Sequence, residues 1–169
     1  SYVPKTTTQL SHLLAANDVS AIEIDVNSLL NETDRGEEIK RVIAAVDLFL
    51  DIGDDVAVYT SRRLITGDNA AKSLLIGQQV SAALVAIVRG ISVRPRYLVA
   101  KGGITSSDVA VKGLGVKRAM VLGQILCGVP VWQTKEESRF PGLTYIVFPG
   151  NVGGREAVAN IQNSLRRTE

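Results

Sequence analysis

The sequence predicts an α/β protein, a three-layer α/β/α arrangement built on a mostly parallel sheet within a single domain. Short apolar runs (Ala21–Val26, Asp55–Thr60, Arg96–Ala100 and Leu143–Phe148) alternate with longer segments of helical period. That alternation builds parallel sheets through crossover helices. A length of 169 residues is enough for one domain with a real core. A composition of 46% hydrophobic and 21% charged residues is that of an ordinary globular chain.

Each element follows from its own pattern. Thr6 to Ala16 reads as a helix, capped by Thr6 or Thr7, with Leu10, Leu13 and Leu14 as its apolar stripe. Ala21 to Val26 alternates Ile22, Ile24 and Val26 against Glu23 and Asp25, a strand with one solvated face. Asp34 opens a charged helix that closes near Gly53 and buries Ile39, Val42, Ile43, Val46, Leu48 and Leu50. Asp55 to Thr60 is a buried strand, and Asn69 to Arg89 is the longest helix, apolar on nearly every face over Ser81–Val88. A strand (Arg96–Ala100), a helix (Thr105–Leu114) and a strand (Ala119–Leu122) come next. Gly128–Trp132 contains Pro130 and is placed at an edge or a turn. Thr134–Gly142 reads as an exposed loop, Leu143–Phe148 as a strand and Gly154–Leu165 as the last helix.

Composition excludes several classes of function. A net charge of +2 gives no field to recruit nucleic acid or an anionic membrane. One cysteine, Cys127, rules out an internal disulfide, and with one histidine, His12, a zinc centre is not expected. No signal peptide or uncharged stretch of about 18 apolar residues stands out, so the expected location is cytoplasmic and no membrane partner is expected. The chain opens at Ser1 rather than Met, and it reads as a piece of a longer polypeptide.

The chemistry is expected in loops that follow strands. In open parallel sheets, ligands sit beyond the carboxyl ends of the strands. Three such ends carry small polar or glycine residues: Thr60-Ser61-Arg62-Arg63, Lys101-Gly102-Gly103-Ile104-Thr105-Ser106 and Gly150-Asn151-Val152-Gly153-Gly154. Glycines let backbone N–H groups approach an anion closely. The helix opening at Thr105 adds its dipole, Lys101 a cation, and Thr105 and Ser106 hydroxyls. Taken singly, each loop is also ordinary turn chemistry: Ser and Thr favour caps, Gly-Asn favours turns, and Arg62 and Arg63 suit a solvated surface. Their agreement points to a phosphate or nucleotide site. The chain has no Gly-x-x-x-x-Gly-Lys-Ser/Thr motif. Gly113-Leu114-Gly115 reads as a helix stop, Asp54-Asp55 as a turn, Trp132 as a packing anchor and His12 as solvent-exposed.

With these loops in view, the chain resembles the C-terminal nucleotide-binding domain of the four-carbon acid sugar kinase family, in the branch fused to aldolase-like domains. The resemblance covers almost the whole chain. It rests on Ser1-Tyr-Val-Pro-Lys-Thr-Thr-Thr-Gln9-Leu10, Tyr59-Thr-Ser-Arg62, Lys101-Gly-Gly-Ile-Thr-Ser-Ser-Asp108, Gly123-Gln-Ile-Leu-Cys-Gly-Val-Pro-Val-Trp132 and Phe148-Pro-Gly-Asn-Val-Gly153. It implies ATP contacts at Ser1, at Gly102, Gly103, Ile104 and Thr105, and at Gly150, with Lys101, Ser106, Asn151 and Gly153 in the same loops. It implies ATP with Mg2+ held mainly through phosphates, and a four-carbon sugar acid (threonate, erythronate or 3-oxo-tetronate) as acceptor. The acceptor and the catalytic base are expected on an N-terminal substrate domain of the same polypeptide. No catalytic or metal-ligating residue is therefore expected in this chain, which alone is expected to be inactive. A non-catalytic module sensing a phosphosugar at the same rim is the alternative, and the apolar Ser81–Val88 helix leaves homo-oligomerisation open.

Overall fold

The computed structural model describes residues 4–16, 18–61 and 69–166. In chain order the elements are α1 (Pro4–Ala16), β1 (Ser20–Ile24), α2 (Val26–Leu30), α3 (Arg35–Asp51), β2 (Val56–Thr60), α4 (Ala70–Gly90), β3 (Tyr97–Lys101), α5 (Gly103–Asp108) continued by a π-helical turn (Val109–Gly113), β4 (Ala119–Leu126), β5 (Val129–Thr134), β6 (Thr144–Phe148) and α6 (Ala157–Arg166). The α/β class is as expected. The strands, however, form two sheets rather than one. They belong to two compact units, one of residues 19–94 and one of residues 4–18 with 95–166.

In the first unit β1 and β2 pair in parallel, from Ser20 opposite Val56 to Ile24 opposite Thr60, with α3 in the connection between them. The alternation of β1 continues in sequence to Val26, yet the strand stops earlier. The Asp25 carboxylate accepts the N–H of Asn27 at 3.0 Å and opens α2, a helix absent from the sequence reading. On α3 the buried positions are Glu38, Val42 and Val46, spaced by four. Leu48, expected inside, is 62% exposed. It follows Val46 by two residues, about 200° around the helix. Buried Glu38 accepts the N–H of Asp25 at 2.8 Å and Nε of Arg41 at 2.7 Å. The Arg41 guanidinium holds it below the usual carboxylate range.

Helix α4 is capped by Asn69, whose side chain accepts the N–H of Lys72 at 2.9 Å. By length and composition it is apolar enough to cross a membrane, and it buries Ala83, Val85 and Ile87. A Cβ at Gly90 would collide with the Ile43 side chain, so this glycine lets α4 close on α3.

In the second unit the strand order is β3-β6-β5-β4. Only β3 and β6 are parallel there; β5 pairs antiparallel with both β6 and β4. The expected parallel character therefore belongs to β1–β2 and β3–β6, while the β4–β5 hairpin adds antiparallel strands. Pro130 does not mark an edge, because β5 lies inside the sheet. Its missing N–H is tolerated because the ladder to β6 begins at Val131 and the ladder to β4 is irregular between Gln124 and Leu126.

Ile146 and Phe148 of β6 pack with Ala157 and Ile161 of α6 on one face. The Tyr145 hydroxyl, on the alternate face, donates to the Ser106 carbonyl at 2.7 Å. Helices thus cover both faces of β6, and this unit is three-layered. Trp132 stacks on Tyr145 with ring centroids 6.0 Å apart, the anchoring role expected of it. The segment after β5 is not simply exposed. Ser138 and Phe140 are buried, and the Thr134 hydroxyl donates to the Phe140 carbonyl at 2.6 Å and accepts the N–H of Leu143 at 2.9 Å.

Candidate functional site

Strands β3 and β6 run side by side in the same direction, with Lys101 opposite Phe148. Their carboxyl ends therefore deliver Lys101-Gly102-Gly103 and Pro149-Gly150-Asn151 to one edge of the sheet. The N–H of Gly102 donates to the Phe148 carbonyl at 2.8 Å, which ties the first loop to the second strand. Gly102 adopts φ 108°, a conformation that only glycine takes without strain.

From that turn α5 starts at once. The Ser106 N–H donates to the Gly102 carbonyl at 2.8 Å, the first helical bond. No side chain caps the helix. The N–H groups of Gly103, Ile104 and Thr105 are those that a helix start leaves for an outside partner. Space lies in front of them: a Cβ on Gly103 would meet nothing within 4 Å, and Ile104 is 78% exposed. Ser106 corrects an expectation. Its hydroxyl is buried, 2.6 Å from the Ala100 carbonyl and 2.7 Å from the Gly102 carbonyl, so it holds the turn instead of facing a ligand.

The second loop is held through its carbonyls. Lys101 Nζ donates to the carbonyls of Pro149 at 3.2 Å and Gly150 at 3.3 Å, and lies 4.1 Å from the centre of the Phe148 ring. Partial burial, reinforced by the charge of Lys5, pulls the Lys101 ammonium down to about 8. From α1, Lys5 Nζ donates to the Asn151 carbonyl at 3.0 Å. Gln9 Nε2 lies 3.0 Å from the Val152 carbonyl, 2.9 Å from that of Gly154 and 3.5 Å from that of Gly153.

The structure thus gathers Lys101, Gly102, Gly103, Ile104, Thr105, Gly150, Asn151 and Gly153 at one sheet edge. Ser1, Arg62 and Arg63 lie outside the described residues. Thr60 ends β2, a strand of the other sheet, and Ser61 follows it. Asp108 pairs with Lys112 at 2.7 Å. Asp54 accepts the Ser20 hydroxyl at 2.7 Å, and the Asp55 carbonyl accepts the Ser20 N–H at 2.9 Å, a structural turn as read. Among the described residues no group of three or more His, Cys, Asp and Glu gathers to hold a metal.

Lys5 and Gln9 escaped the sequence reading of the site. One sequence signal could have found Gln9. It shares its buried face with Leu13 four residues on, so a polar amide sits in an apolar stripe.

A family model for the nucleotide-binding C-terminal domain matches residues 1–158. The chain belongs to this family. No curated protein is a significant match. Among solved structures, this nucleotide-binding domain is similar to a Bordetella bronchiseptica DUF1537 protein of unknown function, a domain-swapped dimer with bound citrate, at TM-score 0.74 and 16% identity. A Haemophilus influenzae DUF1537 protein superposes at TM-score 0.66 and 19% identity. A Salmonella typhimurium LT2 protein provisionally described as a tRNA synthase superposes at TM-score 0.71 and 17% identity. The matches cover 98%, 98% and 97% of this chain. At such identities the likeness carries the fold. The domain spans 39% of the length of each of these three chains. DUF1537 is the four-carbon acid sugar kinase family of the sequence resemblance.

Proposed function

We propose that the nucleotide held by this domain is ATP and that the domain serves a kinase acting on a four-carbon sugar acid. The observation that carries this reading is the pair of glycine loops on adjacent parallel strands, joined by the half-buried cation Lys101. The residues suit a polyphosphate. Gly103 and Gly150 leave open space where a Cβ would stand, the first-turn amides of α5 are uncapped, and Lys101 supplies positive charge. The amides of Gly103, Ile104 and Thr105 would take one phosphate and the Gly150–Gly153 loop another. Magnesium would be held by phosphates and waters, with no ligand from this chain.

Bound ATP supplies the phosphoryl group. Transfer depends on aligning an acceptor hydroxyl with it and stabilising its charge. The acceptor and its base belong, in this reading, to a substrate domain in the remainder of a longer, cytoplasmic polypeptide. This chain alone then binds nucleotide and does not turn over; sugar-acid-dependent ADP formation by the 169-residue chain would refute that. Self-association is part of the reading, supported by the domain-swapped dimer of the Bordetella protein and tested by light scattering.

Calorimetric titration with Mg-ATP, with sugar phosphates alongside, tests the ligand. A Cβ at Gly103 meets no neighbouring element within 4 Å, so a valine there points into open space and its clash would be with the ligand. Binding by the wild type that Gly103→Val abolishes is the expected result. Binding of a sugar phosphate without ATP would replace the kinase reading with that of a phosphosugar sensor.

A further inference from the structure

Gln9 is fully buried, its Nε2 faces three consecutive backbone carbonyls, and its Oε1 has no hydrogen-bond partner. A buried amide left half-satisfied weakens a fold unless its other half does something an apolar side chain cannot. What Gln9 does is turn carbonyls. With Lys101 on Pro149 and Gly150 and Lys5 on Asn151, donors meet six successive carbonyls from Pro149 to Gly154.

In a trans peptide the N–H points opposite to the C=O of the same unit. Every carbonyl drawn toward Lys101, Lys5 or Gln9 therefore turns the next residue's N–H away from these donors. The N–H groups of Gly150, Asn151, Val152 and Gly153 donate to no described residue. Gly153 sits at φ 77°, the left-handed conformation that lets successive amides curve into an anion-binding concavity.

We propose that Gln9 and Lys5 of α1 are positioning residues that present the amides of Gly150–Gly153 to the phosphates of the bound nucleotide. This rests on the nucleotide-site reading above and deepens it. Neither side chain touches the ligand; each acts through the carbonyl it holds. It follows that α1, at the other end of the sequence, governs the affinity of a loop near the C-terminus, and that a displacement of α1 would release the loop.

The test compares Mg-ATP, inorganic tripolyphosphate and adenosine as ligands of the wild type, Gln9→Leu, Gln9→Glu and Lys5→Met. Calorimetry gives affinities, and 1H–15N spectra follow the Gly150–Gly153 amides. Gln9→Leu is expected to weaken Mg-ATP and tripolyphosphate about tenfold while leaving adenosine unchanged, because only the phosphate amides are misdirected. Gln9→Glu weakens them further, since a carboxylate repels the carbonyl oxygens. Lys5→Met, at an exposed residue, costs roughly threefold.

A merely structural role would lower the melting temperature and leave the ratio of ATP to adenosine affinity unmoved; that result overturns the proposal. If Gln9→Leu does not fold, Lys5→Met decides alone through the same ratio and the shift of the Val152 amide. A wild type that binds neither ATP nor tripolyphosphate overturns the nucleotide-site reading and this inference with it. A wild type that binds both, beside variants that bind equally well, overturns this inference only.

Discussion

At the end of β1 the chain enters α2 through Asp25; at the end of β3 it enters α5 through Gly102. Both turns follow a parallel strand, and both lead into the N-terminal amides of a helix. The first supplies its own anions. The Asp25 carboxylate accepts Ser28 Oγ at 2.9 Å and the Asn27 N–H at 3.0 Å, and Glu38 accepts the Asp25 N–H at 2.8 Å. The Ser28 hydroxyl and then the Asn27 amide hold Asp25 below the usual carboxylate range. The second turn offers glycines instead, no capping side chain, and a lysine at its edge. The same backbone device is closed off in one place and left open in the other. The difference is whether the negative charge that a helix start favours comes from the chain or from outside it.

The sharpest way to break this comparison is to give the open turn its own anion. Gly103→Asp fits the backbone, since a Cβ there meets nothing within 4 Å, and an acidic residue suits the first turn of a helix. Two like charges 4 Å apart at an effective dielectric of 20 repel by about 4 kcal/mol. Mg-ATP affinity is therefore expected to fall by more than about 100-fold with no loss of stability, read by calorimetry and urea unfolding. Retained affinity would show that the start of α5 is not where phosphate sits.

A second substitution separates glycines that the ligand needs from glycines that the fold needs. At Gly153, φ is 77° and an added Cβ would lie 2.5 Å from Cβ of Ala157. Gly153→Ala should cost about 2–3 kcal/mol of unfolding free energy, from strain and overpacking together. Gly103→Ala should cost less than about 0.5 kcal/mol. Equal costs in urea melts would remove the distinction.

These two positions also show how far the sequence carries. The Lys101–Ser106 turn was legible because strand, glycines and helix start are contiguous, and the chemistry of such a turn is local. The Gly150–Gly153 loop was legible as a second glycine loop of the same site, but what holds it was not. Beside Lys101, the donors to its carbonyls are Lys5 and Gln9, 143 to 146 residues away, and no local pattern carries that pairing. Ser106 shows the same limit at short range. Its hydroxyl turns inward to the Ala100 and Gly102 carbonyls, and its own carbonyl is held by the Tyr145 hydroxyl from β6, an inward placement that residue type alone does not give. Strand pairing was missed for a related reason. Periodicity identified the other strands, but placing β5 between β4 and β6 depends on ladders that Pro130 seemed to forbid; it precedes the ladder to β6 and sits at an irregular stretch of the ladder to β4.

The two turns should also respond differently to pH. At the open turn, Lys101 carries its charge below about 8. A phosphate ligand favours the charged form, so Mg-ATP affinity should hold below that pH and fall above it, by at most about tenfold per pH unit. Lys101→Met should bind more weakly and lose this dependence. Stability runs the opposite way. Folding lowers this lysine from 10.5 to about 8, so its burial penalty is full below about 8 and fades as pH rises toward 10.5. Calorimetric titrations of both proteins from pH 7 to pH 9.5 would test this, and identical slopes would exclude Lys101 from the site.

The smallest effect is expected at the closed turn. Asp25→Ala removes the α2 cap at an exposed position, and such caps are worth about 1 kcal/mol. The depressed carboxylate of Asp25 contributes its stability above 3.8 and loses it as pH falls through the lowered value. The wild type should therefore exceed Asp25→Ala in stability at neutral pH, and the gap should close in acid. Nucleotide affinity should not change, because the anion lost at this turn is one the chain supplied to itself. A change in Mg-ATP affinity of more than about twofold in Asp25→Ala would show that the two helix starts do not act independently.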